Sequence, residues 1–281
     1  MATVQQTVSE YLHTDHPIIR EFLAEFFGTF FLLLIGTAAN VQLATTGGTN
    51  QMAVPVAWGI GFAFAVYLAA NVSGAHLNPA ISFTQVVLGN LSFAKLPHYI
   101  IAQMLGAFTG TFVSYMGHYD DIQKIAQQGI GNNSMDLRIA GLFTTFPAPH
   151  MSAIGSIFDQ IIGTAILALA ICLITDKRYR NSAPASAGLC GLTMAMIALS
   201  FGVNGGFAIN PARDFGPRFF FWVAGYGGKV FSYGSYYFYI PLLAPFVGGI
   251  IGAWLYKIFI GLHGLNEVLE ITTVKSVHLP H

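Results

Sequence analysis

Ser73-Gly74-Ala75-His76-Leu77-Asn78-Pro79-Ala80 and Gly206-Phe207-Ala208-Ile209-Asn210-Pro211-Ala212-Arg213-Asp214 are two polar breaks in sequence that is otherwise apolar over long runs. Each closes on the same tripeptide, and each tripeptide reads as a helix start. Asparagine is a favoured N-cap, proline suits the first helical position, and alanine propagates the helix. The two copies lie almost half the chain apart, so the sequence reads as a duplication whose units each contain one such break.

The surrounding composition sets the solvent. Of 281 residues, 54% are hydrophobic and only 9% charged, with mean hydropathy +0.60, whereas soluble domains carry roughly 25% charged residues. This is a chain built for lipid. Twelve basic residues balance twelve acidic ones, so no basic footprint for nucleic acid is present. The two cysteines, Cys172 and Cys190, stand in separate apolar stretches without the spacing of a metal site or a disulfide framework, and read as buried thiols.

Working outward from the breaks, runs long enough to cross a hydrocarbon core, about 20 helical residues, fall at 18–44, 52–72, 97–117, 152–175, 185–203 and 238–262. Apolar pieces at 81–88 and 215–223, each following a break, are too short to span. The pattern is therefore three spans and one short piece, repeated once. Glu25-Phe26-Phe27-Gly28-Thr29 matches Gln160-Ile161-Ile162-Gly163-Thr164, and Gly106-x-x-x-Gly110 matches Gly248-x-x-x-Gly252. A unit with an odd number of spans must be followed by its copy upside down, so the expected fold is an all-α membrane protein of six transmembrane helices and two re-entrant half-helices related as inverted repeats. Residues 1–17 and 263–281 are expected to be cytosolic tails, 18–262 the membrane domain, with repeats at about 18–117 and 152–262 and an extracytosolic polar connection at 118–150.

The balance of basic residues near span ends puts Arg20, Lys95, Lys177, Arg178, Arg180, Lys257 and Lys275 inside, and with them both termini. Asn132-Asn133-Ser134 in the outer connection is a glycosylation acceptor pattern, though Asn71-Val72-Ser73 and Asn90-Leu91-Ser92 match it as well.

Non-helical backbone at membrane depth is tolerated where protein buries it or a water-filled cavity satisfies it. The carbonyls of Gly74, Ala75, His76 and Leu77, and of Gly206, Phe207, Ala208 and Ile209, are then a ladder of acceptors along a pore. Two half-helices meeting at their N-termini bring positive dipole ends and the amides of Asn78 and Asn210 to one point, which disfavours cations and donates hydrogen bonds to neutral solutes. Arg213 is an intramembrane charge and reads as functional by default. Asp214 is either its partner in a structural ion pair or a loop-shaping group. Glu25 and Gln160 occupy equivalent places and read as hydrogen-bonding support for the loops. His76 is either a brace for its loop or a proton-sensitive group. No combination of nucleophile, base and orienting group points to an enzyme, and no metal or cofactor is called for.

Together the paired motifs closely resemble the aquaporin family, in its aquaglyceroporin branch, over nearly all of residues 20–263. The resemblance implies a homotetramer in membrane lipid, with the plasma membrane as the expected location, in which each subunit conducts glycerol, other small neutral solutes and water while excluding ions and protons. It also implies an aromatic/arginine filter on the outer side. By register from the two tripeptides, that filter is Trp58, Ala198, Phe207 and Arg213. Water-selective members usually carry histidine where Ala198 stands and serine where Asp214 stands, so both residues point to a wider, greasier constriction. Bacterial glycerol facilitators typically have glycine at the Ala198 position, which makes this constriction slightly narrower and leaves preference among polyols open, and glutamate at the Gln160 position, a change expected to have little effect on conduction. Two other classes remain compatible with the scaffold: a coupled transporter, which needs an ion site among Glu25, Asp159 and Asp214, and a non-conducting junction protein.

Overall fold

The computed structural model describes residues 3–127 and 137–264; Asn132, Lys275 and nearly all of 263–281 lie outside the described residues. In chain order the helices are α1 (Val4–Leu12), α2 (Pro17–Thr45), α3 (Ala53–Ser73), α4 (Pro79–Val87), α5 (Leu96–Gly117), α6 (Tyr119–Gln127), α7 (Leu137–Gly141), α8 (Ala153–Ile174), α9 (Ala183–Gly205), α10 (Pro211–Phe221), α11 (Lys229–Tyr236) and α12 (Tyr239–Tyr256). A π-helical turn over Lys257–Gly261 extends α12. Six of these helices are long and apolar enough to cross a membrane. The nine residues of α4 and eleven of α10 reach about 14 and 17 Å at 1.5 Å per residue, roughly half a bilayer core.

The repeats are visible in how backbones approach. A methyl group on Gly106 or Gly110 of α5 would overlap the carbonyls of Phe26 and Phe30 on α2, and one on Gly248 or Gly252 of α12 would overlap those of Ile161 and Ala165 on α8. These are the paired glycines and paired helices of the internal sequence match, and the small residues act within the subunit. Where α3 crosses α9, a Cβ on Gly59 would sit 2.8 Å from Gly191 O. Each half-helix packs on the last span of the other repeat: α4 on α12 and α10 on α5. A methyl on Gly249 would strike Thr84 of α4, and one on Gly216 would approach Ala107 of α5 at 2.5 Å. The half-helices are thereby wedged between the repeats.

Two segments differ from the expectation of plain polar connectors. Within 118–150, Ile122, Ile139 and Phe143 are buried with Phe220, Phe221 and Val230 in a separate apolar cluster. Apolar residues spaced along a mostly polar sequence give α6 and α7 one buried face. Within the expected N-terminal tail, the described residues 3–12 hold a helix and its cap. They form α1, closed by a capping box in which Gln6 N donates to Thr3 Oγ1 and Thr3 N to Gln6 Oε1.

Candidate functional site: the meeting point of the half-helices

Gly74 and Gly206 end α3 and α9 in the left-handed region, φ 86° and 75°, which glycine enters without steric cost. The chain then continues through Ala75 (φ 51°), Leu77 (φ 52°), Phe207 (φ 41°) and Ile209 (φ 43°). Four non-glycine residues held there, at about 1–3 kcal/mol each, show that the surroundings dictate the loop shape.

Those surroundings are hydrogen bonds. Asn78 Oδ1 accepts from Ala80 N (2.9 Å) and Asn210 Oδ1 from Ala212 N (3.0 Å) and Arg213 N (3.3 Å), capping α4 and α10. Their amides cross over: Asn78 Nδ2 donates to Ile209 O (2.9 Å), and Asn210 Nδ2 to Leu77 O (2.8 Å). The Leu77 and Ile209 carbonyls each accept one of these bonds, and Leu77 is fully buried. These crossed bonds stitch the two loops together. A primary amide has two N–H groups, so each asparagine keeps one more.

Glu25 supports the first loop from α2. It accepts from His76 N (2.8 Å), Leu77 N (2.6 Å), Ser73 Oγ (2.6 Å) and Gln103 Nε2 (2.8 Å). Gln103 also donates to Ser82 Oγ (2.9 Å), which lies 3.2 Å from His76 Nδ1. In the second repeat Gln160 Oε1 accepts only from Ile209 N (2.8 Å) among the described bonds, while its Nε2 donates to Asp159 Oδ2 (2.9 Å) and Asn204 Nδ2 to Asp159 Oδ1 (2.8 Å). Both oxygens of Asp159 are thus engaged by neutral amides.

Trp58, Phe207 and Arg213 come together beyond the second loop. The rings of Trp58 and Phe207 meet edge to face, centroids 5.7 Å apart at 86°, and Arg213 Cζ lies 4.7 Å from the Trp58 ring and 6.0 Å from that of Phe207. Arg213 Nη1 donates to Phe143 O (2.9 Å). Trp58 Nε1 donates to Asn40 Oδ1 (3.3 Å), whose Nδ2 donates to Leu142 O (2.7 Å). Phe207 and Arg213, with Ala198 and Thr144, line a vestibule of about 600 Å³ on the face of the 118–150 connection, whereas Trp58 is 1% exposed and forms its wall from behind. On the opposite face a second vestibule of about 310 Å³ is lined by Ala75, His76, Ile81 and Cys190 among others. The stitched loops lie between the two.

Asp214 does not pair with its neighbour Arg213. Its partner is Arg218, one helical turn on and 0% exposed, with Nε to Oδ2 at 2.6 Å. Asp214 Oδ1 also accepts from Thr145 N (2.8 Å) and Thr145 Oγ1 (2.6 Å), and Arg218 donates to the carbonyls of Thr145 and Val230. Both readings of Asp214, ion-pair member and loop shaper, describe it, with a different partner. Sequence reasoning missed Arg218 by treating 215–223 as simply apolar; an arginine four residues after an aspartate, inside a short apolar piece, was the available signal. It also missed Asn40, Phe143 and Thr145, of which the latter two act partly through backbone groups that no side-chain pattern reveals.

Two membrane-embedded half-helices, meeting N-terminus to N-terminus between opposed vestibules in an inverted-repeat bundle, define an aquaporin-type fold. The profile of the major intrinsic protein family matches residues 13–256, and the chain belongs to that family. It is 37% identical to human Aquaporin-10 over 90% of this chain and 85% of that one, and 38% identical to Aquaglyceroporin-2 of Rhizophagus irregularis over 84% and 76%. The X-ray structure of the aquaglyceroporin from Plasmodium falciparum superposes with a TM-score of 0.79 at 33% identity, covering 87% of this chain and 98% of that one. The chain is thus an integral membrane channel of the aquaglyceroporin branch and not an enzyme.

Proposed function

We propose that the chain conducts glycerol, related small neutral solutes and water passively, and turns back ions and protons. The observation that carries this reading is the two-faced constriction of Trp58, Phe207 and Arg213. Phe207, backed edge to face by the buried Trp58 ring, offers an apolar wall to the carbon side of a polyol, while Arg213, tethered through Nη1 to Phe143 O, presents its remaining N–H groups to hydroxyls. Ala198 contributes only a methyl group, which leaves width for a carbon backbone. Behind the filter, helix N-termini and the second N–H of each asparagine repeat the preference for neutral, hydroxyl-bearing solutes. The charge of Arg213 and the two dipole ends oppose cations at successive points. The backbone carbonyls of Gly74, Ala75, His76, Leu77, Gly206, Phe207, Ala208 and Ile209 line this path, those of Leu77 and Ile209 also accepting from the opposing amides. The same reading takes the chain as a homotetramer in the plasma membrane with one pore per subunit and both termini cytosolic.

Stopped-flow light scattering on proteoliposomes, comparing water, glycerol and urea, tests it. Glycerol flux is expected to scale with its gradient and to be indifferent to a proton or sodium gradient. Arg213→Ala and Phe207→Ala are expected to relax discrimination, raising urea permeability relative to glycerol severalfold. Glycerol permeability at the lipid background, with water permeability raised, overturns the reading; dependence on an ion gradient replaces it with coupled transport.

A further inference from the structure

α1 leaves an apolar stripe uncovered. At about 100° per residue, Val4, Val8, Tyr11 and Leu12 fall within an arc of about 100°, with Gln5, Gln6, Ser9 and Glu10 on the rest of the helix. Val4 is 83% exposed, Tyr11 82% and Leu12 75%. A nine-residue helix is marginal in water by itself, so a stripe this regular needs something to cover it.

The tether to α2 decides what that is. Only His13–His16 separate Leu12 from Pro17, the first residue of a membrane-spanning helix. Four extended residues reach at most about 14 Å, so α1 cannot leave the zone where α2 enters the bilayer. Ile18, Ile19, Leu23 and Phe27 on α2 are also exposed, so the chain on the far side of this tether is apolar at its surface as well. We propose that α1 is an interfacial helix lying on the membrane, its Val4/Val8/Tyr11/Leu12 face sunk to the headgroup–acyl boundary. Tyr11 has the apolar body and polar tip suited to that depth. α1 carries Glu10 and no basic residue, so its attachment is hydrophobic and does not require anionic lipid.

The test uses the full chain in phosphatidylcholine nanodiscs, with nitroxide labels placed in turn at Val8→Cys, Leu12→Cys, Gln6→Cys and Ser9→Cys. Cys172 and Cys190 are buried, and the unsubstituted chain measures any background labelling. Power saturation is expected to show the ratio of oxygen to nickel-chelate accessibility severalfold higher at 8 and 12 than at 6 and 9, unchanged when a third of the lipid is phosphatidylglycerol. Equal ratios at all four positions overturn the proposal, as does a contrast that appears only with anionic lipid. A contrast that persists in lipid-free amphipol assigns the stripe to a protein surface instead and overturns it too. Because the readout is independent of flux, its failure leaves the conduction reading untouched.

Discussion

The two loops that meet at the asparagines share a backbone course and differ in what holds it. The first is held from inside its own repeat: a buried carboxylate, Glu25, gathers two backbone N–H groups, a serine and a glutamine. The second has the neutral Gln160 at the equivalent place, with one backbone bond and a link to Asp159. Its compensation comes from the other flank, where Asp214 and Arg218 clamp Thr145. In register from the tripeptides, Asp214 corresponds to Ser82 and Arg218 to Val86, so the first half-helix has no counterpart to this clamp. The difference teaches how the two halves of an inverted duplication diverge: one loop is anchored to its helices, the other to the connection that supplies Phe143 O to Arg213.

The largest expected effect comes from Glu25→Ala, which strands the His76 and Leu77 N–H groups and one N–H of Gln103, while Ser73 Oγ keeps the Ala69 carbonyl. At about 1–3 kcal/mol per orphaned buried group, unfolding followed by tryptophan fluorescence or by loss of monodispersity in detergent should show several kcal/mol of lost stability. Next, Asp214→Ala leaves Arg218 buried and uncompensated, at about 3–5 kcal/mol. The double variant Asp214→Ala/Arg218→Met should recover much of that in the same assay, and no recovery means the pair is not what holds the flank. Gln160→Ala strands one backbone donor and removes one of the two amides on Asp159, and is expected to cost less than Glu25→Ala, at about 1–3 kcal/mol per unpaired group. If it costs as much as Glu25→Ala, the asymmetry between the loops is not real.

The smallest effect sharpens the comparison from outside it. Between α8 and α9, Asp176 accepts from Arg178 and from Tyr256 Oη (2.5 Å), and the Arg178 guanidinium holds its carboxyl well below the usual carboxylate range. A depressed carboxylate contributes stability that is complete above its unfolded value near 3.9 and is lost as pH falls toward the folded one. The difference in stability between the parent and Asp176→Asn should therefore shrink below about pH 4, while solute discrimination stays that of the parent at every pH.

Much of the fold was legible because lipid imposes strict rules on sequence. Span length, the short apolar pieces and the repeated glycine pairs all follow from satisfying the backbone inside hydrocarbon, and Asn-Pro-Ala states its helix start locally. The meeting of Trp58, Phe207 and Arg213 was legible only through register from the two tripeptides. The rest was hidden for identifiable reasons. Arg218 looked like one charge in an apolar piece because its compensation comes from Asp214 and two backbone carbonyls. Phe143 and Thr145 lie in a segment whose polarity suggested a connector.

By itself, then, the sequence determined a duplicated membrane bundle with two half-helices, because hydrophobic length and helix capping are local properties of a chain in lipid. Only the tertiary structure decided which groups the central asparagines engage. Each amide of Asn78 and Asn210 has one N–H tied to the carbonyl just before the other asparagine, a bond between residues over 130 positions apart. Whether a buried carbonyl faces a lumen or an amide depends on which loop folds against it, and no pattern along the chain carries that information.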